Sequence, residues 1–189
     1  IALESAMLAT GLTLKDIPCG KYGTLDKYVP DGDYVVIKFA RWAFEKFKGV
    51  EDKLGTQMRA VGEVMSIGKT YKEAFQKAIR SLETGRYGLG FVKDFYSLPK
   101  EELLRRLHTP SSERHFMMYE ALRKGATVEE IHEITKVKHW FINQMLELVQ
   151  EEEARMTGQR SLPSDEARIS AKKNGFSDKY LSKILGIPE

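Results

Sequence analysis

The sequence predicts an α+β protein that is mostly helical, and three observations support this prediction. Strand-like apolar runs occur only within the first 70 residues, at 34–39 and 61–67. After Pro99 the apolar residues recur at helical spacing, and no segment there is typical of a strand. Glycines at 85, 88 and 90 separate the two regions and indicate a linker. We therefore expect a few strands followed by an all-α helical bundle.

The first element is a short helix of small and apolar residues over 2–10, which ends at Gly11. It has neither an N-terminal cap nor an initiator Met, so we expect the chain to be a segment of a longer protein. The first strand follows a turn-like Pro30-Asp31-Gly32 and covers 34–39. It should pair with the strand that begins at Val61.

That second strand, 61–67, contains four branched or long apolar side chains and stops at Gly68. Its composition predicts a mostly buried strand. Thr70 is placed to cap a following helix, and Glu73, three residues later, can complete a capping box. Apolar residues then share one face at helical spacing, and Gly85 is expected to end this helix.

The second half of the chain predicts a series of helices. One covers 100–107, and Ser112 is expected to cap the next. Thr127 and Glu130 form a capping box for a short helix. Two further serines are expected to cap the final short helices: Ser164 and Ser177.

The longest predicted helix, 140–153, has apolar residues around more than half of its circumference. Such a helix lies at the centre of a small bundle or faces both its own core and a partner subunit. We predict a subunit interface on it, formed by Trp140, Phe141, Met145 and Leu148.

Composition excludes several classes of protein. The net charge of +3 is too small and too dispersed to favour binding to nucleic acid or to a membrane surface. No apolar run is long enough to cross a bilayer, and the first residues lack the features of a signal peptide. The single cysteine, Cys19, cannot form an internal disulfide, which is typical of a reducing cytoplasm. We expect a soluble, cytoplasmic protein.

Two alternative functions are suggested by local patterns. Gly68-Lys69-Thr70 follows a strand and opens a helix, as in a nucleotide-binding P-loop, but five residues separate it from Gly62 where a P-loop has four. The helices over 127–149 could also form a DNA-binding helix-turn-helix. Four glutamates on the second of these helices would repel phosphate, which argues against that function. The four histidines have no shared metal-ligand spacing.

A family resemblance covers almost the whole chain. Residues 58–70 resemble the Val-Gly-Glu-Val-Met-x-Ile-Gly-basic-Thr signature of the large subunit of carbamoyl-phosphate synthetases, and 74–78 continue the match. Further resemblances follow in the family's order: 11–14 with 17–18, 33–38, 41–42, 44–47, 110–114, 130–135, 140–141 and 175–178.

The resemblance implies two domains. Residues 1–90 would be the end of the carboxyphosphate-forming ATP-grasp domain, so that the strands belong to a partial ATP-grasp segment. Residues 91–189 would be the helical oligomerisation domain. The resemblance therefore implies that the strands belong to a known catalytic fold, and that only part of this fold lies in this chain.

The resemblance also implies a parent enzyme, an ATP-dependent ligase that makes carbamoyl phosphate from bicarbonate, two ATP and ammonia released from glutamine. It would use magnesium, act with a glutaminase subunit or domain, and serve arginine and pyrimidine biosynthesis. We expect this segment to be an inactive structural part that forms homo-oligomers. It offers no catalytic, cofactor-binding or metal-binding residue that matches the family's motifs.

Overall fold

The computed structural model describes residues 2–46, 49–91, 93–156 and 163–189. The chain forms two compact units, Ile1–Asp33 and Tyr34–Glu189. The described residues are mostly helical and include one two-stranded antiparallel sheet, which confirms the predicted fold class.

The smaller unit contains helix α1, Ala2–Ala9, and two short 3-10 turns, Gly20–Tyr22 and Leu25–Lys27. A bridge joins Pro18 to Thr24, and the neighbouring Ile17 is buried.

The larger unit begins with strands β1, Val35–Trp42, and β2, Ala60–Gly68. They pair antiparallel with Phe39 opposite Val64, which confirms the predicted pairing. Helix α2, Tyr71–Ser81, covers one face of the sheet, where the Ser66 hydroxyl donates to the Ala74 carbonyl oxygen at 2.6 Å. The expectation of a mostly buried second strand was wrong, because its other face is exposed.

The junction between β2 and α2 explains two residues of the signature. A Cβ atom on Gly68 would lie 2.8 Å from the Ala74 amide nitrogen, so only glycine allows the helix to begin this close to the strand. The Thr70 hydroxyl caps α2 by accepting from the Glu73 amide. The Glu73 carboxylate reaches back to the Lys69 amide at 2.7 Å, one residue earlier than a capping box requires.

Seven helices follow among the residues of the larger unit that the structure describes. Their bounds are α3 Lys93–Tyr96, α4 Lys100–Leu107, α5 Arg114–Arg123, α6 Val128–Thr135, α7 His139–Met156, α8 Asp165–Lys173 and α9 Asp178–Leu185. No strand occurs among the described residues beyond Pro99, as predicted.

The predicted helix ends are mostly confirmed. The capping box of Thr127 and Glu130 is present, and Ser164 and Ser177 cap α8 and α9. Ser112 does not cap α5; its hydroxyl donates to Asp52 at 2.6 Å and so ties the loop before β2 to the helical region. Helix α2 ends at Ser81, before Gly85.

One apolar core extends from the sheet into the helical region. Phe39 of β1 and Phe75 of α2 belong to the same buried cluster as Phe116 of α5 and Ile142 of α7. The glycine-rich segment 85–90 therefore does not separate two hydrophobic cores. The domain boundary at residue 90 does not coincide with the division into compact units, and as a statement about family domains it stays a prediction.

A buried polar network fixes this segment against the last helices. Glu152 of α7 is fully buried and accepts hydrogen bonds from the hydroxyls of Tyr119 at 2.6 Å and Tyr180 at 2.8 Å. Arg123 of α5 forms an ion pair with the same carboxylate. The Gly90 amide donates to the Tyr180 hydroxyl at 2.9 Å, so the network joins the glycine-rich segment to three helices.

Burial controls the protonation of this network. It raises the pKa of the Tyr119 and Tyr180 hydroxyls well above 10, and the charge of Glu152 raises both further. Both tyrosine hydroxyls are therefore protonated at neutral pH and can donate to Glu152. Burial also raises the pKa of Glu120, although the nearby Arg123 opposes this shift.

Candidate assembly surface

The structure separates the four residues of the predicted interface on α7. Trp140 and Phe141 lie at the surface, with 54% and 38% of their areas exposed. Met145 and Leu148 are 2% and 1% exposed and belong to the chain's own core. A contact with another subunit through this helix would therefore use its first turn, and the assignment of an interface stays a prediction.

Tyr71 from α2 joins the two exposed residues, and we call Tyr71, Trp140 and Phe141 the aromatic surface. The Tyr71 ring lies 5.2 Å from that of Trp140 and 5.5 Å from that of Phe141, between centroids. Behind it, Tyr71 stacks on Phe75 of the core at 5.3 Å. Burial raises the pKa of Tyr71 to about 12. The aromatic surface thus has a fixed base and two exposed rings.

A second apolar surface lies on the sheet. The side chains of Val36, Val61, Met65 and Ile67 alternate with inward-facing residues and have 43% to 68% of their areas exposed. We call these four residues the outer sheet face. An ion pair between Lys38 and Glu63, at 2.9 Å, lies among them. A two-stranded sheet with one apolar face open to solvent is typical of part of a larger sheet or layer.

At the Gly68-Lys69-Thr70 turn, a carboxylate of the chain already binds one backbone amide. A phosphate would use the free amides at the start of α2. The Glu73 carboxylate already accepts from the Lys69 amide and is paired with Lys77 at 2.6 Å. These contacts lower the pKa of Glu73, with the hydrogen bond from Lys77 as the largest cause. An anion bound at this turn would therefore compete with the Glu73 carboxylate for the Lys69 amide.

The remaining alternatives gain no support from the described residues. Within them, no group of three or more His, Cys, Asp or Glu side chains could hold a metal ion. His132 and His139 stack with their ring centroids 3.9 Å apart at the turn between α6 and α7. None of the helices in the described ranges is long and apolar enough to span a membrane.

One of the four glutamates that the sequence suggested would repel DNA, Glu152, lies in the core.

Sequence reasoning missed both the buried network and the outer sheet face. Glu152 is one heptad after Met145 and three residues after Val149, and this spacing places it on the buried face of α7. Its position among charged neighbours in a Glu-Glu-Glu run concealed this. The alternation along β2 was likewise present in the sequence, but apolar residues occupy both of its faces.

Comparison with known proteins gives one consistent result. Residues 63–189 match the family model described as the carbamoyl-phosphate synthetase large chain, oligomerisation domain. The chain is similar over its full length to the carbamoyl phosphate synthase large chains of Archaeoglobus fulgidus, at 43% identity, and of Neisseria meningitidis serogroup B, at 44%. It is 39% identical to a protein of Methanopyrus kandleri named as the N-terminal section of such a chain.

The matched relatives are much longer than this chain. It spans 18% of the Archaeoglobus and Neisseria proteins and 36% of the Methanopyrus protein.

Proposed function

Because the chain belongs to the carbamoyl-phosphate synthetase large-chain family, through its oligomerisation domain, we propose that it is an assembly segment of such a synthetase. The match of the family model over 63–189 carries this proposal. Residues 91–189 would be the oligomerisation domain proper, and 1–90 the end of an ATP-grasp catalytic domain.

The aromatic surface would contact a second copy of the chain. Tryptophan and tyrosine are among the residue types that dominate binding energy at protein interfaces. Trp140 and Phe141 lie on the longest helix, and Tyr71 anchors them to the core. Three residues alone bury far less than the roughly 1,200–2,000 Å² of a stable interface, so they would form its centre.

The outer sheet face would pack against the rest of the catalytic domain. Its four apolar side chains need a covering layer, and the relatives are several times longer than this chain. Strands β1 and β2 would then complete the sheet of the ATP-grasp fold, while α2 connects that sheet to the helical region. This assignment gives the two apolar surfaces different partners.

The complete synthetase would form carbamoyl phosphate from bicarbonate, glutamine-derived ammonia and two ATP. It would act with a glutaminase subunit or domain in the cytoplasm, and serve arginine and pyrimidine biosynthesis. ATP and magnesium would bind in parts of the enzyme other than this segment. One observation supports that division: the Glu73 carboxylate already accepts from the Lys69 amide just before α2.

Self-association of the chain tests the proposal. We expect the double variant Trp140→Ala/Phe141→Ala to form a much weaker oligomer than the unmodified chain in sedimentation velocity. Ile169→Ala is a matched control, because Ile169 is 55% exposed on α8 and resembles Trp140 in exposure. It removes exposed apolar surface elsewhere and should leave association unchanged.

Circular dichroism would establish that each variant is folded. Equal association of the unmodified chain and a folded double variant would show that the aromatic surface is not the interface. A loss of association in the Ile169→Ala variant would instead indicate non-specific clustering of apolar surface.

A further inference from the structure

A small basic cavity lies between the glycine-rich segment and helix α9, and it shares no lining residue with either apolar surface. Its volume is about 190 Å³. Three cationic side chains line it, Arg86, Lys179 and Lys183, and no carboxylate does. Arg86 is already paired with Glu113. The uncompensated charge of the cavity therefore comes from the two lysines.

Aromatic rings lie close to both lysines, which are exposed. The Lys179 ammonium lies 4.3 Å from the centroid of the Tyr87 ring and donates to the Tyr87 hydroxyl at 2.9 Å. The Lys183 ammonium lies 5.3 Å from the centroid of the Phe91 ring. Neither forms an ion pair with an acidic side chain in the part of the chain that the structure describes. The hydrogen bond with Tyr87 is the largest cause of the raised pKa of Lys179, and the charge of Glu189 contributes less.

The backbone around the cavity offers further donors. Gly88 lines the cavity and is buried, yet its amide donates no hydrogen bond to any described residue. The amides of Gly85, Arg86 and Tyr87 likewise donate to no described residue, although Gly85 and Tyr87 are exposed. Successive amides in a turn can form a concave anion site. By contrast, the Gly90 amide is satisfied by Tyr180.

We propose that this cavity binds a phosphate-type oxyanion through Lys179, Lys183 and the amides of the glycine-rich segment. At roughly 30 Å³ per water molecule, its volume equals about six waters, which suits a phosphate group and excludes a whole nucleoside. The ligand is free phosphate or the phosphoryl group of a larger metabolite whose remainder projects into solvent.

The test is a phosphate titration of the ¹⁵N-labelled 189-residue chain, followed by amide NMR shifts at constant ionic strength. We expect saturable shifts at Gly85 and Gly88, with about tenfold weaker binding for Lys183→Gln and a larger loss for Lys179→Gln/Lys183→Gln. Lys173→Gln removes the same charge from α8, outside this cavity, and should bind phosphate normally.

Each outcome bears on the site. Shifts that do not saturate, or that are equal in Lys183→Gln and Lys173→Gln, would overturn it. A parallel titration with AMP separates the two sources: tighter binding than phosphate indicates a phosphorylated metabolite, and equal binding indicates free phosphate. If the double variant is unfolded, the single Lys183→Gln variant decides.

Discussion

Replacement of Glu152 by glutamine should destabilise the fold strongly, although it changes few atoms. The glutamine carbonyl oxygen could still accept from Tyr119 and Tyr180. Its amide group would face the Arg123 guanidinium, which can only donate hydrogen bonds. The variant therefore replaces a buried ion pair by two opposed donors.

The magnitude follows from what remains around Arg123. Breaking a buried ion pair by removing one partner costs about 3–5 kcal/mol. Arg123 keeps contacts with Glu120 at 3.2 Å and with Glu153 at 2.5 Å, so we expect the lower end of that range, about 3 kcal/mol. For a protein of this size this corresponds to a decrease of about 6–12 °C in the melting temperature.

Glu153→Gln is the matched control. Glu153 pairs with the same arginine, but its side chain is 42% exposed, so its loss should cost about 0–1 kcal/mol. Urea denaturation followed by circular dichroism measures both free energies of unfolding. Similar values for the two variants, or a loss below about 1 kcal/mol for Glu152→Gln, would refute the reasoning that burial makes this ion pair important.

Three further predictions concern other parts of the chain. The double variant Met65→Ser/Ile67→Thr should change the free energy of unfolding by no more than about 1 kcal/mol, because the outer sheet face is exposed. The same variant should abolish activity when it is placed in a full-length synthetase. Loss of activity in the control variant Ile169→Ala would contradict a specific role for the outer sheet face. Burial first, and then the charge of Arg114, lowers the pKa of His115 from 6.5 to about 4. The unfolded chain therefore takes up this proton first, and stability should fall by up to about 3 kcal/mol as the pH decreases from 6.5 to 4. In the His115→Phe variant, the urea midpoint should decrease less between pH 6.5 and pH 4 than it does in the unmodified chain. An equal decrease in the two proteins would contradict this prediction. Thr127→Ala should cost about 1 kcal/mol through loss of the capping box at α6, whereas a thermal midpoint equal to that of the unmodified chain would mean that the cap contributes nothing.

Local signals explain why most elements could be predicted from the sequence. The caps at Thr70, Thr127, Ser164 and Ser177 depend on side chains within three residues of the amides that they satisfy. The pairing of β1 with β2 likewise follows from two neighbouring apolar runs. Such features need no knowledge of the rest of the fold.

Features that depend on distant contacts could not be predicted in the same way. Ser112 looked like a cap, but Asp52, sixty residues earlier, binds its hydroxyl. Met145 and Leu148 looked equivalent to Trp140, and only the packing of α7 in the core distinguishes them. The role of Glu152 depends on partners from α5 and α9. Helical periodicity identifies a buried face but not which neighbour covers it.

The most direct test of the assembly function is sedimentation velocity of the unmodified 189-residue chain over a wide range of concentrations. We predict a discrete dimer or tetramer whose population rises with concentration and is retained when the salt concentration is raised, because apolar contacts are not screened. A monomer at every concentration would contradict an assembly role for this chain, and the aromatic surface would then need another explanation.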